Sequence, residues 1–341
     1  MKRRDFLTIP AASCLFSAMN SCQTTMKPEQ TVHSISLPAI QNGDTIGCLC
    51  TAGGIEPAQQ EPIERFFQSQ GYRVRWGAYL GGDFLYGLSG ATQERLADLN
   101  AFIRDEEIKV IVDLSDGYGA LPLLVGIDFD ALRTYPKWFI GYSDRTVLHL
   151  AIYKKAELHS IMVTDSVPDC INNSINNEGF PAWLRFLRLS SMNETPFFVR
   201  QHKFTIETWV SGQARGKLIG GRVSRLAGLA GTDFAVPTEE DVILFLEESD
   251  EYAYRVDRCL TQLFESGAFS RVRGIVLGRF RSPEDEPDDQ IDLIDVLRER
   301  FLSLNLPVLS LQTTEKENDT LSMVLGTMVE LNSDEKILNY I

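Results

Sequence analysis

From residue 44 onward, hydrophobic positions alternate between short unbroken runs and faces repeating at helical spacing. Residues 44–50 form an apolar run that predicts a first strand, leading into Thr51-Ala52-Gly53-Gly54. A helix is predicted from about Pro57, with Ile63, Phe66 and Phe67 near helical spacing. Residues 71–76 predict a second strand, and 85–90 a loop. Residues 92–103 predict a helix with Leu96, Leu99 and Phe102 on one face. The β-branched run 108–114 predicts a third strand, ending in Ser115-Asp116-Gly117-Tyr118-Gly119-Ala120 before a helix that starts at 121–124. Residues 138–140 predict a fourth strand, followed by Gly141-Tyr142-Ser143-Asp144 and the apolar-periodic run 147–153. Strands alternating with helices imply right-handed crossovers and a parallel sheet. Both glycine-bearing turns then fall at carboxyl ends of strands, where open α/β sheets place their sites.

The pattern changes after about Pro168. Residues 170–201 are polar and irregular around an apolar 183–189 segment. Strand-like runs follow at 204–210, 215–218, 242–246, 272–277 and 307–311, with a helix at 254–264 that turns Val256, Leu260 and Leu263 one way. This predicts an N-terminal α/β domain over 40–170, a linker over 171–204 and a smaller β-rich domain over 205–341. The acidic stretch 284–292 reads as a solvated surface loop. There is no internal repeat.

At 341 residues the chain has room for two cores. A formal net charge of −14 with no basic stripe argues against nucleic acid as a partner. The N-terminus stands apart. Lys2-Arg3-Arg4 precedes an apolar, small-residue run too short to span a membrane, which predicts a signal peptide over 1–21. Met19-Asn20-Ser21-Cys22 resembles a lipobox and makes Cys22 the expected lipid-attachment residue, with 22–39 as a tether. The expected location is therefore outside the cytoplasm, lipid-anchored on the periplasmic or cell-surface side of a bacterial membrane. The cysteines left after it, Cys48, Cys50, Cys170 and Cys259, lack zinc-like spacing, so neither a metal nor any other cofactor is expected.

Two readings of Gly141-Tyr142-Ser143-Asp144 stand on those residues alone. A serine on a tight strand-to-helix turn is a nucleophile elbow, with the next backbone N–H aimed at the group it attacks. The same letters also describe an N-cap serine on an ordinary helix.

Taken together, the motifs resemble the LD-carboxypeptidase family of Ser-Glu-His serine peptidases over about residues 40–335. Residues 92–100 look like its first-domain helix, and Asp116-Gly117-Tyr118-Gly119 like the end of its R-G-G-Y-G turn. Residues 139–146 match its nucleophile motif nearly letter for letter. Residues 243–248, with Glu251, residues 254–258 and Leu263, match its glutamate motif, and 274–280 resemble the strand after it. The resemblance implies a flavodoxin-like N-terminal domain, a β-rich C-terminal domain, a site between them, and a homodimer. It implies a murein-derived peptide as partner, cut beside a C-terminal D-amino acid. Ser143 is then the nucleophile and Glu247 the carboxylate that orients the base. The N–H groups of Asp144 and of the Gly117 turn would form the oxyanion hole. Without the resemblance, Glu247 would read as an exposed glutamate at a strand end.

The pattern breaks at the base. Serine is a weak nucleophile that needs a general base, and the family's histidine lies in a G-H turn before an L-P-L-G-like strand. Residues 307–320 hold no histidine. His33 lies in the tether and His202 near the domain boundary. His149, six residues past Ser143 on one helix, points about 240° away, and His159 precedes the turn that follows the next strand. Aligning back from 321–326 puts Lys316 at or beside the lost histidine, among Glu315, Glu317 and Asp319, which favour its charged form. Ser115 and Asp116 replace the arginine and first glycine of R-G-G-Y-G, setting a carboxylate beside the expected oxyanion hole. Arg222 replaces the asparagine of a G-G-N turn, and either binds a substrate carboxylate bidentately or is simply exposed. Two functions stay open: a hydrolase of this type, impaired or with a substitute base, and a non-catalytic lipoprotein that binds murein-like peptides in a retained cleft.

Overall fold

In the computed structural model, residue 37 and residues 39–176, 181–189, 204–283, 292–313 and 321–341 are described. The expected signal peptide, Cys22, His33, His202, the acidic stretch 284–291 and Lys316 lie outside them.

The first sheet is built by β1 (Thr45–Leu49), α1 (Pro57–Ser69), β2 (Arg73–Trp76), α2 (Thr92–Arg104), β3 (Ile108–Asp113), α3 (Phe129–Thr134), β4 (Trp138–Gly141), α4 (Thr146–Ala156) and β5 (Ser160–Val163). β1, β4 and β5 are buried along their whole length, which is why β1 and β4 read as short unbroken runs. Local chemistry sets the helix starts. Gln59 caps the Glu56 N–H at 2.9 Å beside Pro57, Glu94 caps the Ala91 N–H at 2.7 Å, and Asp128 accepts from the Ala131 N–H at 2.9 Å. The strand order is β2-β1-β3-β4-β5, all parallel: the flavodoxin-like α/β arrangement expected from the sequence.

After α5 (Val167–Asn176) and α6 (Ala182–Arg188) the chain forms a second sheet. It comprises β6 (Phe204–Val210), β7 (Gln213–Arg222), α7 (Val223–Leu229), β8 (Val242–Ser249), α8 (Ala253–Glu265), β9 (Val272–Arg281), α9 (Leu293–Phe301), β10 (Val308–Thr313), and then, beyond β11 (Ser322–Leu325), β12 (Met328–Asn332) and β13 (Ile337–Tyr340). Its order is β13-β12-β7-β8-β9-β10-β6. The four central strands run parallel with helical crossovers, and the flanking strands are antiparallel.

Three features depart from the sequence reading. β11 leaves the C-terminal part of the chain to pair antiparallel with β5, so the first sheet is mixed at that edge. Its four residues are all buried, and they close a strand edge that would otherwise stay open. The expected helix at 121–124 is a 3₁₀ turn, Leu121–Gly126, with Pro122 in its first positions. Part of the expected linker belongs to the core: Leu187 accepts from the Ile40 N–H at 2.8 Å, and Trp183 lies 6.1 Å from Phe67, ring to ring.

Candidate active site

Ser143 sits where buried β4 turns into α4, and its φ of +56° is left-handed. That conformation costs a non-glycine residue on the order of 1 kcal/mol and persists only where the surroundings enforce it. They do so here. The Ser143 carbonyl accepts from Thr146 Oγ1 at 2.8 Å, and the Tyr142 carbonyl from the Arg145 N–H at 3.0 Å. Gly141 is required because a Cβ there would lie 2.8 Å from Cβ of Arg145. An N-cap serine would have extended backbone and an Oγ accepting from the first turn. Ser143 has neither: its Oγ and the Asp144 N–H make no hydrogen bond among the described residues. The elbow reading therefore fits, with the positive end of α4 directly behind the serine.

The neighbouring carboxylate fastens this turn to the glycine turn after β3. Asp144 Oδ2 accepts from the N–H groups of Gly119 at 2.9 Å and Ala120 at 2.7 Å, and its Oδ1 from Arg225 Nε at 2.7 Å. Beneath it lies a buried polar layer. Asp113 accepts from the Ser115 N–H and hydroxyl at 2.9 and 2.5 Å, and from the Thr51 hydroxyl. Fully buried Arg145 donates to the Ser115 carbonyl at 2.9 Å. Gly117, with φ +66°, is where a turn needs a glycine. Its N–H, expected in the oxyanion hole, donates instead to Asp116 Oδ1 at 2.6 Å. The carboxylate that the sequence put beside the hole engages one of its two donors.

The second sheet brings Glu247 to this turn. β7 ends in Gly220-Gly221-Arg222, where a Cβ on Gly220 would stand 1.9 Å from the Phe245 carbonyl oxygen and one on Gly221 2.3 Å from Thr146 Oγ1. This close approach lets the Arg222 N–H reach Thr146 Oγ1 at 3.1 Å, and Arg222 pairs with Glu247 across the ladder. Glu247 is 5% exposed, not the exposed strand end that its bare sequence suggests. Burial pushes its carboxyl up to about 8; Arg222 opposes this, Glu248 and Asp165 add to it, and Arg279 opposes it. Arg222, 18% exposed on its side chain, donates through Nη1 to the Ser249 carbonyl at 3.2 Å and lies 3.7 Å from Glu248, while its buried Nε has no hydrogen-bond partner among the described residues. It is therefore not the simply exposed residue of the alternative reading.

Neither described histidine serves the serine. His149 faces away, with Nδ1 2.8 Å from Ser160 Oγ and Nε2 3.2 Å from the Gly141 carbonyl. That carbonyl only accepts, so Nε2 carries the hydrogen. Burial draws the imidazole down to about 4 and keeps it neutral. His159 immediately precedes β5, which the Ile140–Ile161 register places level with Trp138. Ser143 is five residues further along, roughly 16 Å at strand rise. The sequence reading missed Thr146 and Arg225, although the Arg222/Arg225 spacing on one helical turn was visible. Among the described residues no group of His, Cys, Asp and Glu could hold a metal ion. Cys48 and Cys50 are buried free thiols, and Cys170 is buried as well.

A left-handed serine at the carboxyl end of a flavodoxin-like sheet, with a buried glutamate on the strand beside Arg222, whose N–H reaches Thr146 of the serine's helix, is an arrangement of serine-hydrolase type. The chain belongs to the LD-carboxypeptidase family: residues 46–163 match its N-terminal domain and 215–331 its C-terminal domain. It is 30% identical over 299 residues to a probable murein peptide carboxypeptidase of Bacillus subtilis, covering 87% of this chain and 92% of that one. The structure is similar to microcin C7 self-immunity protein MccF in an inactive-mutant apo state, with a TM-score of 0.73 at 23% identity over 89% of this chain and 97% of that one. It is also similar to a muramoyltetrapeptide carboxypeptidase from Oxalobacter formigenes, with a TM-score of 0.66 at 24% identity over 86% and 97% of the two chains. These two likenesses bear on the fold.

Proposed function

We propose that this chain is a serine carboxypeptidase that removes the C-terminal D-amino acid from L,D-bonded murein-type peptides. The observation that carries the proposal is the left-handed Ser143, with an unbonded Oγ and the Asp144 N–H open beside it. Ser143 Oγ attacks the carbonyl carbon of the scissile bond, its proton passes to a base, and the carbonyl oxygen gathers negative charge against the Asp144 N–H. Gly117 adds a second donor once the exposed Asp116 side chain swings aside. The amine of the D-amino acid leaves with a proton, and water then releases the acyl group from Ser143. Lys316 occupies the base position in the chain, and Glu247 supplies the carboxylate of the triad. The peptide's terminal carboxylate meets Arg222. The murein peptidase names among the relatives support the substrate class.

A second reading, a binding protein without turnover, is favoured by one observation. At neutral pH a carboxyl raised to about 8 is largely protonated, whereas orienting a base calls for a carboxylate. The deciding experiment is release of D-alanine from a murein tetrapeptide by the mature chain, Ser143→Ala and Lys316→Met. Release by the parent and its loss in Ser143→Ala support the enzyme; survival in Lys316→Met removes lysine as the base. Tetrapeptide binding with no release in any of the three leaves the binding reading. In either case we propose an exported lipoprotein anchored through Cys22 and working as a homodimer, a reading supported by the lipobox-like Met19-Asn20-Ser21-Cys22 and by the family resemblance. Retention of Cys22→Ser in the membrane fraction excludes that anchor, and a monomer by sedimentation excludes the dimer.

A further inference from the structure

The ion pair of Asp144 with Arg225 joins the serine turn of the first sheet to α7, which follows β7 of the second. Asp144 is buried, and its two backbone donors both serve Oδ2. Arg225, 30% exposed on its side chain, supplies the bond to Oδ1 and the neutralising charge, and is itself steadied by Nη1 donating to Ser224 Oγ at 3.0 Å. Without it, a charged oxygen would be left unpaired in a water-poor site, and the carboxylate would gain by rotating toward solvent. Rotation would release the N–H groups of Gly119 and Ala120, and with them the register between the serine turn and the glycine turn.

We propose that Arg225 is a positioning residue of the nucleophile turn, holding the Asp144 carboxylate in the one orientation that keeps both turns in register. The Asp144 N–H is then aimed at a developing oxyanion only while α7 is docked against the serine turn. The catalytic part of this inference rests on Ser143 being the nucleophile. The Arg222 N–H to Thr146 Oγ1 bond runs from the same connection, so the turn is held from the second sheet at two points. Among the described residues, only the Arg225 point is made by a side chain from that side, on α7, so it alone can be removed there by substitution.

The test compares the full mature chain with Arg225→Met, Arg225→Lys, Asp144→Asn and the Asp144→Asn/Arg225→Met double variant. Amide exchange is followed by mass spectrometry in peptides covering 117–120 and 141–146, with 243–247 and 275–277 as reference strands. In Arg225→Met, exchange at the two turns should quicken about tenfold while the reference strands hold. On a murein tetrapeptide, kcat should fall about ten- to a hundredfold with KM within about twofold, and lysine should restore part of the loss. The double variant should be little worse than the worse single one, as for residues acting as a unit. Unchanged exchange at the turns overturns the proposal. Uniform quickening across both sheets also overturns it, since that marks general support of the fold. If the parent chain shows no turnover, the carboxypeptidase reading falls and the exchange comparison alone decides the role of Arg225.

Discussion

The two sides of the candidate site are built in opposite ways. On the nucleophile side every buried charge has a partner in reach: Asp144 accepts three hydrogen bonds, Asp113 is ringed by Ser115 and Thr51, and Arg145 donates to backbone carbonyls. On the carboxylate side, Glu247 is buried with no hydrogen bond among the described residues and two acidic neighbours near it. The first arrangement pre-forms a geometry, and the second holds a buried carboxyl without a hydrogen-bond partner among the described residues. A site can therefore be rigid where the bond is attacked and electrostatically open where the proton must go.

The largest effect should come from the rigid side. Ser143→Ala should reduce D-alanine release by at least about 10⁴-fold while leaving the thermal midpoint within a few degrees. An equal loss in fold stability would mean that the serine matters to the turn and not to the chemistry. Next is Gly220→Ala, which forces a Cβ to within 1.9 Å of the Phe245 carbonyl oxygen in a backbone with φ +140°. Chemical denaturation should show a loss of about 3 kcal/mol or more; a milder value would show that the β7–β8 ladder of the second sheet yields.

The open side is probed by pH. Glu247 is raised to about 8, so between about 4.5 and 8 the unfolded state has given up its proton while the folded state keeps it. Its contribution to stability is thus present below the unfolded value and lost as pH rises through that window. The loss should be a few kcal/mol at most, and Glu247→Gln should flatten it in urea titrations at pH 5, 7 and 9. An unaltered slope would mean that Glu247 is ionised and paired, which would favour a working triad. The smallest effect is the reverse case. His149 is drawn down to about 4, so its share of stability is full above about 6.5 and lost as pH falls toward 4, up to about 3 kcal/mol. His149→Gln, which still donates to Gly141, should shallow the acid limb of the same titration. If it does not, His149 is not the neutral brace behind the elbow.

Much of this contrast could be read in the chain, and the unread part has a physical reason. The strand-helix alternation up to Ser143 is local, and it led to the parallel order and to both turns. Glu247 was visible only as one letter in a motif, because its burial comes from tertiary packing: Gly220 lets β7 lie close on β8, and Gly221 lets the end of β7 approach Thr146 of α4. Arg225 was missed because nothing local distinguishes it from a surface arginine; its partner lies 81 residues earlier in the chain. β11 looked like one more strand of the C-terminal domain, since a sequence pattern does not say which open edge a strand will cover.

That placement of β11 bears on how the protein is made. The sheet carrying Ser143 is complete only when residues 322–325 have been synthesised, over 150 residues after β5. A growing chain therefore exposes the β5 edge for almost half its length, with its nucleophile strand already in place one position inward. Closure of the first layer is a late event that waits on the last strands of the chain, and a polypeptide cut short before β11 would leave that edge free to pair with another copy.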